Sequence, residues 1–116
     1  INNTFKVVNS EISGEVISLE SNYKYCWVLT DSQLYKFNYF GSLITKNAVN
    51  NIQQIEIFND NLFFKKDNEL FYYDQDLLIE YKLDLENLLI KDFFVINQSL
   101  YIYDSEHFIK YQIQKK

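Results

Sequence analysis

The chain has 116 residues, of which 47 % are hydrophobic and 18 % are aromatic, so it suits one folded domain and is too apolar for a disordered segment. Its formal net charge is −5 and its eleven basic residues are all Lys, so it lacks the basic patches and Arg side chains typical of nucleic-acid binding. No apolar run approaches the ~18 residues of a membrane-spanning helix.

The predicted elements are all short strands, rich in the Tyr, Phe, Ile and Val that favour pleated, half-buried surfaces. The first, Thr4–Val8, stands before any group of strands. The first group of four comprises Val16–Leu19, Tyr25–Leu29, Gln33–Asn38 and Ser42–Thr45.

A second group of four strands follows, with Asn and Asp in the turns between them. These residues tolerate left-handed backbone and hydrogen-bond their own loops, which suits tight hairpins in a chain with two Gly and no Pro. The strands are Gln54–Phe58, Leu62–Lys66, Glu69–Tyr73 and Leu78–Lys82, and the turns are Asn59-Asp60, Asp67-Asn68 and Asp74-Gln75-Asp76.

A connection over Asp84–Ile90, which could form a helical turn, leads to the third and last group. This group contains three strands rather than four, because the chain ends soon after the third. They are Asp92–Ile96, Leu100–Tyr103 and Phe108–Ile113.

The three groups are copies of one repeat. The segment from Leu62 aligns without a gap with the segment from Leu100, an offset of 38, and the segment from Cys26 aligns with that from Leu62, an offset of 36. This spacing is close to the ~40 residues of a propeller blade. We therefore expect equivalent four-stranded sheets lying face to face, with Leu34, Leu70 and Phe108 in equivalent places and with strands buried on both faces.

Two stretches carry a family resemblance. LYKFNYFGSLI, at Leu34–Ile44, and LFYYDQDLLI, at Leu70–Ile79, resemble the LYxxDxxGxLI pattern of β-propeller repeats of the six-bladed, NHL-like kind, although the second stretch has no Gly to match Gly41. The resemblance covers Val16 to Ile113. It implies an all-β fold of about three four-stranded propeller-type blades, at residues 15–48, 52–84 and 90–113 of one domain over residues 1–116, with a strand over residues 4–8 completing a blade.

Three blades are fewer than the 4–8 of an ordinary closed propeller. The chain could therefore be half of a six-bladed ring made by two copies, a fragment of a longer propeller, or an open stack whose edges lean on a partner. Exposed strand edges invite pairing with another chain, so all three arrangements predict association with other protein subunits or with a second copy. A β-sandwich of similar hairpins is a further alternative.

No pattern predicts a catalytic, cofactor or metal site. His107 is the single His and lies in a predicted hairpin turn, and no Ser occupies the Gly-flanked elbow of a hydrolase. Cys26 and Trp27 align with Leu62 and Phe63, so we predict that both are core residues. Gly14 and Gly41 are isolated, which excludes a glycine-rich phosphate loop.

Acidic and amide side chains are explained by turn chemistry. The turns lack the Gly and terminal Glu of an EF-hand loop, and no spacing selects a carboxylate pair for glycoside hydrolysis. The residues considered are Asp74-Gln75-Asp76 and Asn59-Asp60-Asn61 for Ca²⁺, Asp31, Asp67, Glu69 and Glu80 for paired carboxylates, Lys65-Lys66 for recognition, and Asn2-Asn3-Thr4 and Asn97-Gln98-Ser99 for N-glycosylation.

These observations favour a non-catalytic interaction or scaffold module without a cofactor. The bias toward Asn, Ile, Lys, Phe and Tyr resembles that of Bacteroidota envelope proteins. A cleaved signal peptide would explain a chain without Met, as would a piece of a longer protein. We therefore expect an accessory subunit of a secreted, cell-envelope or outer-membrane complex, located outside the cytoplasm. The alternative is a fragment of a propeller enzyme or ligand-binding sensor whose site needs additional blades.

Overall fold

A computed structural model describes residues 12–75, 79–85 and 88–114, and all regular structure in these ranges is β. The strands are β1 (Val16–Ser21), β2 (Tyr25–Thr30), β3 (Gln33–Asn38), β4 (Leu43–Ala48), β5 (Ile52–Phe58), β6 (Asn61–Lys66), β7 (Glu69–Asp74), β8 (Ile79–Lys82), β9 (Asp92–Ile96), β10 (Ser99–Tyr103) and β11 (Phe108–Gln112). The predicted strand Thr4–Val8 lies outside the described residues.

The strands form three antiparallel sheets, and within each sheet the order of the strands follows the sequence. Strands β1 to β4 form the first sheet, β5 to β8 the second, and β9 to β11 the third. We call these sheets the first, second and third blades. They confirm the predicted fold class, an all-β chain of about three propeller-type blades. Within the predicted connection Asp84–Ile90, the amide of Leu88 donates to the carbonyl of Leu85 at 3.3 Å, and the described residues of this connection carry no helix.

The pairing registers repeat with the predicted offsets. The first strands of the first two blades begin at Val16 and Ile52, and their last strands at Leu43 and Ile79, a separation of 36 in both cases. In the second blade Leu62 pairs with Tyr73, and in the third Leu100 pairs with Tyr111, a separation of 38. Each blade is therefore one supersecondary unit, repeated residue by residue.

Positive backbone dihedral angles occur where Asn and Asp form the tight hairpins. Lys66 pairs with Glu69, so the β6–β7 loop consists of Asp67 and Asn68, whose φ angles are 53° and 63°. Two successive positive φ values define a type I′ turn, whose twist matches that of the flanking strands. Asn59 has φ 56° in the β5–β6 turn. The predicted turn chemistry thus sets the hairpin registers.

The β3–β4 turn uses side-chain hydrogen bonds instead. The Oδ1 atom of Asn38 accepts from the amides of Phe40 and Ser42, both at 3.0 Å, and Gly41 has φ 89°. Because Ser42 belongs to this turn, β4 begins one residue later than predicted, at Leu43, and it runs on to Ala48.

The chain divides into two compact units, Ile1–Asn50 and Asn51–Lys116. In the described part of the first unit, Val28, Tyr35 and Phe37 are buried against Ile12 and Cys26. The second unit has a larger core that joins the second and third blades, formed by Phe58, Phe63, Leu70, Ile90, Phe93, Leu100 and Ile102. The assignment of all 116 residues to a single domain stays a prediction.

Burial on both faces is most complete in the second strands of the first two blades, β2 and β6. Trp27, Val28 and Leu29 are consecutive and all buried, as are Leu62 and Phe63. By contrast, β4 and β8 are exposed along their whole length. The expectation of burial on both faces was therefore wrong for β4 and β8, whose side chains face solvent on both sides.

Candidate functional site

The second blade shows how one blade covers another within a unit. Its side chains Phe58, Phe63 and Leu70 share a core with Phe93 and Ile102 of the third blade. The ring centroids of Phe58 and Phe63 lie 6.2 Å apart in this core. The second and third blades therefore meet face to face through apolar side chains, which is the arrangement that the repeat predicts.

Polar side chains of the second blade bind the backbone of the third beside this core. The Nε2 atom of Gln54 donates to the carbonyl of Phe93 at 2.8 Å, and the Oε1 atom of Glu56 accepts from the amide of Val95 at 3.1 Å. The Nζ atom of Lys65 donates to the carbonyl of a loop residue, Lys91, at 2.7 Å. These bonds fix the lateral position of the third blade on the second.

The third blade carries a corresponding face on its other side. At the repeat offset of 38, which the pairing registers follow, the residues of this face are equivalent to Glu56, Phe58, Phe63, Lys65 and Leu70 of the second blade. We call this the third-blade face, and it consists of Phe94, Ile96, Tyr101, Tyr103 and Phe108.

Its rings are mutually packed. The ring centroids of Phe94 and Tyr101 are 4.8 Å apart and stacked, and Phe108 stacks on Tyr101 at 5.6 Å. The Nζ atom of Lys110 lies 6.0 Å from the Tyr101 ring centroid. The face is consequently an ordered aromatic surface, with polar atoms at its borders.

Exposure separates this face from its equivalent in the second blade. Phe108 is 63 % exposed, whereas Leu70, at the same register position, is 1 % exposed. Ile96 is 54 % exposed, whereas its equivalent Phe58 is 8 % exposed. The prediction that Leu34, Leu70 and Phe108 have equivalent places therefore holds for register and fails for burial: Leu34 is half-buried, and Phe108 lacks the cover that Leu70 has. A sheet face with the composition of a core is open to a partner.

The first blade has a second partly open apolar surface. Leu19 pairs with Val28, which pairs with Tyr35, and Cys26 pairs with Phe37 on the same side of the sheet. We call these five residues the first-blade face. A groove of about 340 Å³ beside it is lined by Ile12, Cys26, Val28, Phe37, Asn38, Tyr39 and Gly41.

Two residues of the first blade that the sequence analysis considered, Cys26 and Trp27, have the packing role that was predicted. Cys26 is half-buried, and burial raises the pKa of its thiol, which disfavours the reactive thiolate. Trp27 is 1 % exposed, and its ring meets Tyr25 edge-on at 5.8 Å. Both therefore serve packing.

His107 lies in the four-residue turn between β10 and β11, beside Asp104. The Oδ1 atom of Asp104 accepts from the amides of His107 at 2.6 Å and Glu106 at 3.0 Å, and its Oδ2 atom lies 3.2 Å from Nδ1 of His107. The hydrogen bond from the His107 amide, followed by the one from Glu106, lowers the pKa of Asp104. This carboxylate closes a turn, and His107 itself is exposed.

Replacing Asp104 by Asn is expected to destabilise the protein near neutral pH, because a neutral amide is a weaker acceptor for the two turn amides. The folded-state pKa of Asp104 is lowered, so its contribution is present above the unfolded value of about 3.9 and disappears as pH falls through the folded-state pKa. Urea unfolding of both proteins at pH 7 and near pH 3 measures this. The difference in unfolding free energy should shrink at the lower pH. Glu106→Gln is the control, because it removes a charge from the same turn while leaving the Asp104 carboxylate as the acceptor of both amides.

The acidic residues considered in the sequence remain dispersed in the structure. Within residues 12–75, 79–85 and 88–114, no three His, Cys, Asp or Glu side chains form a group able to hold a metal ion. Glu69 forms a salt bridge with Lys82 at 2.9 Å, and the Oδ1 atom of Asn61 accepts from the amide of Gln75 at 2.9 Å. Glu69 and Asn61 therefore make contacts within the second blade. Asp31, Asp67 and Glu80 are exposed. Asp76 and Asn2 lie outside the described residues, and Asn97 occupies the β9–β10 turn with φ 54°.

A groove in the second unit is the other concave feature of note. It has a volume of about 890 Å³ and combines aromatic rings with polar atoms. The Nδ2 atom of Asn61 donates to the hydroxyl of Tyr72 at 2.9 Å within its lining. The lining is Phe58, Asn59, Asp60, Asn61, Phe63, Tyr72, Asp74, Tyr81, Leu83, Ile113 and Gln114.

Sequence reasoning did not select the third-blade face. The signal was available in the repeat alignment, because Phe94 stands where the second copy has Glu56, and Tyr103 stands where it has Lys65. Both changes remove a polar group that binds the next blade and leave an aromatic ring.

The described residues contain no helix of the length and apolarity that crossing a membrane requires.

Neither a protein-family model nor a curated protein sequence matches the chain. Solved structures of propeller-type proteins do match its fold. Kluyveromyces lactis Hsv2 is 15 % identical with a TM-score of 0.65, covering 88 % of this chain and 34 % of that one. Human WBSCR16 is 11 % identical with a TM-score of 0.66 and the same two coverages.

The extracellular domain of the one component system BT4673 from B. thetaiotaomicron is also similar, at 13 % identity and a TM-score of 0.59, covering 83 % of this chain and 14 % of that one. The chain thus spans about a third of the length of the Hsv2 structures that it matches. At these identities the similarity shows the fold alone, and that fold is a partial β-propeller.

Proposed function

We propose that this chain is a non-catalytic, propeller-type interaction module that docks within a larger protein assembly. The observation that carries the proposal is the third-blade face, a set of stacked aromatic side chains whose register equivalents in the second blade are covered by another blade. Large exposed apolar patches mark interaction sites, and aromatic side chains are enriched at interfaces. Phe108, with 63 % of its surface exposed, is the most open member of this face.

We further propose a place outside the cytoplasm, as an accessory subunit of a cell-envelope or secreted assembly. Two observations support it: the residue composition, and the similarity in fold to an extracellular domain from B. thetaiotaomicron. The finer assignment, a relation to six-bladed NHL-like propellers, is supported by the stretches at Leu34–Ile44 and Leu70–Ile79.

Affinity purification of the tagged chain from its native source, in the presence of an untagged copy, tests the docking proposal. We expect a stoichiometric protein partner that is retained by the unaltered chain and lost with Phe108→Lys, since a buried ammonium without a partner opposes docking. Leu89→Lys is the matched control, because Leu89 is 69 % exposed in the same unit and lies outside the third-blade face. Absence of a stoichiometric protein, or retention with Phe108→Lys, would overturn the proposal.

The alternative function, a ligand-binding sensor, is favoured by one observation, the groove of about 890 Å³ in the second unit. Apolar clefts of this size with a few polar groups are typical small-molecule sites. A ligand there would contact Tyr72, so Tyr72→Phe would weaken its binding while leaving protein capture through Phe108 unchanged. Calorimetry with extracts of small molecules from the native source separates the two functions.

A further inference from the structure

We propose that a second copy of this chain covers the third-blade face with its own first-blade face, so that the copies join head to tail. This inference rests on the proposed function and names the partner of that interaction surface. It goes beyond the association expected from the sequence by naming the two contacting surfaces, which are sheet faces rather than strand edges.

The molecule itself shows what covers such a face. The core side chains of the second blade are covered by the third blade, which contributes Phe93, Leu100 and Ile102 at 1 %, 4 % and 0 % exposure. The covering surface is thus the opposite side of a blade, made of aliphatic and aromatic side chains. A partner for the third-blade face should present the same kind of surface.

The first-blade face is that surface. Adding the two repeat offsets, 36 and 38, to its residue numbers gives residues on the side of the third blade that covers the second blade, and the pairing registers agree. The equivalent residues in the repeat alignment are Leu19 and Phe93, Cys26 and Leu100, Val28 and Ile102, Tyr35 and Ile109, and Phe37 and Tyr111. Every copy of the chain therefore carries both members of a blade-to-blade contact.

Exposure shows that this face still has room for a neighbour. Leu19 is 60 % exposed, although its equivalents Ile55 and Phe93 are 0 % and 1 % exposed. The groove of about 340 Å³ beside Cys26 also opens on this side. Val28, Tyr35 and Phe37 are already buried. Docking would therefore add contact mainly at Leu19 and in the groove, where a ring from the third-blade face can enter.

A contact between two different faces is heterologous, and such contacts either close into a ring or continue as an open series. A closed pair has a fixed mass of twice 14.0 kDa, whereas an open series grows with concentration. Either result is head-to-tail association. An isologous pair, in which two third-blade faces meet, is a different arrangement and leaves Leu19 out of the interface.

Sedimentation equilibrium of the purified full chain over a range of concentrations tests the inference. We expect species of twice 14.0 kDa or more, and an increase in the dissociation constant of at least about tenfold for Phe108→Lys and for Leu19→Lys. Both residues are exposed, so the substitutions should leave the far-ultraviolet circular dichroism spectrum unchanged. The matched controls Leu89→Lys and Tyr23→Lys alter residues that are 69 % and 83 % exposed, and should associate as the unaltered chain does.

Mixing the two variants makes the test specific for head-to-tail docking. Leu19→Lys keeps an intact third-blade face and Phe108→Lys keeps an intact first-blade face, so an equimolar mixture should form a one-to-one complex that neither forms alone. Association of Leu19→Lys with itself would show isologous pairing and overturn the inference. A monomeric unaltered chain would overturn it as well, while a different protein captured through Phe108 would leave the proposed function in place.

Discussion

Replacing Leu70 by Ala is expected to lower the free energy of unfolding by about 2–5 kcal/mol, the usual cost of truncating a buried aliphatic side chain. Leu70 is 1 % exposed and lies in the core that joins the second and third blades, together with Phe58 and Phe93. The substitution removes apolar contacts with side chains of the second and third blades and leaves a cavity between them. Urea unfolding followed by far-ultraviolet circular dichroism measures the loss.

The repeat supplies an unusually close control for this substitution. Phe108 occupies the same register position in the third blade and is 63 % exposed, so Phe108→Ala should change the unfolding free energy by less than about 1 kcal/mol. The measurement is made at a concentration where sedimentation finds only monomer, because association would add stability to the unaltered chain. Equal costs at Leu70 and Phe108 would show that the third-blade face is covered within the monomer.

The strand pattern could be predicted because it depends on local information. Aromatic and β-branched clusters alternate with Asn and Asp, and Asn59, Asp67 and Asn68, which take positive φ, are residues that the sequence analysis placed in turns. Turn geometry in turn fixes the register of each hairpin, and the offsets of 36 and 38 follow. Alignment and pairing therefore agree residue by residue.

Burial could not be predicted in the same way, because it depends on what lies next to a blade. Leu19, Ile55 and Phe93 are equivalent in the alignment, yet their exposures are 60 %, 0 % and 1 %. An alignment assigns one environment to each repeat position, whereas a side chain is buried only where other parts of the molecule cover it. The candidate site belongs to this second kind of information, which is why sequence analysis did not find it.

Polar side chains distinguish a covered face from an open one. In the second blade, Gln54, Glu56 and Lys65 bind backbone groups of the third blade or of the loop before it. At the equivalent positions the third blade has Asp92, Phe94 and Tyr103. The third-blade face thus replaces two directed polar contacts with rings. A partner docked on this face, as we propose, would be held mainly by apolar contact, which depends less on exact register than directed hydrogen bonds do.

Replacing Trp27 by Ala is expected to lower the free energy of unfolding by about 3–5 kcal/mol, the typical cost of removing a buried aromatic ring. Trp27 is 1 % exposed and lies on a central strand of the first blade. Its ring contacts Tyr25 edge-on at 5.8 Å and has the Nζ atom of Lys36 5.6 Å from its centroid, so the substitution also removes an aromatic pair and a cation–π contact. Urea unfolding followed by circular dichroism measures the effect.

The repeat again specifies the conservative variant. The equivalents of Trp27 are Phe63 and Tyr101, so the position accepts a smaller ring, and Trp27→Phe should retain most of the stability that Trp27→Ala loses. Tyr23→Ala provides the exposed aromatic control, because Tyr23 is 83 % exposed in the β1–β2 turn. If Trp27→Ala costs no more than Tyr23→Ala, the indole does not stabilise the first blade, and the equivalence of Trp27 with the buried ring of Phe63 is wrong.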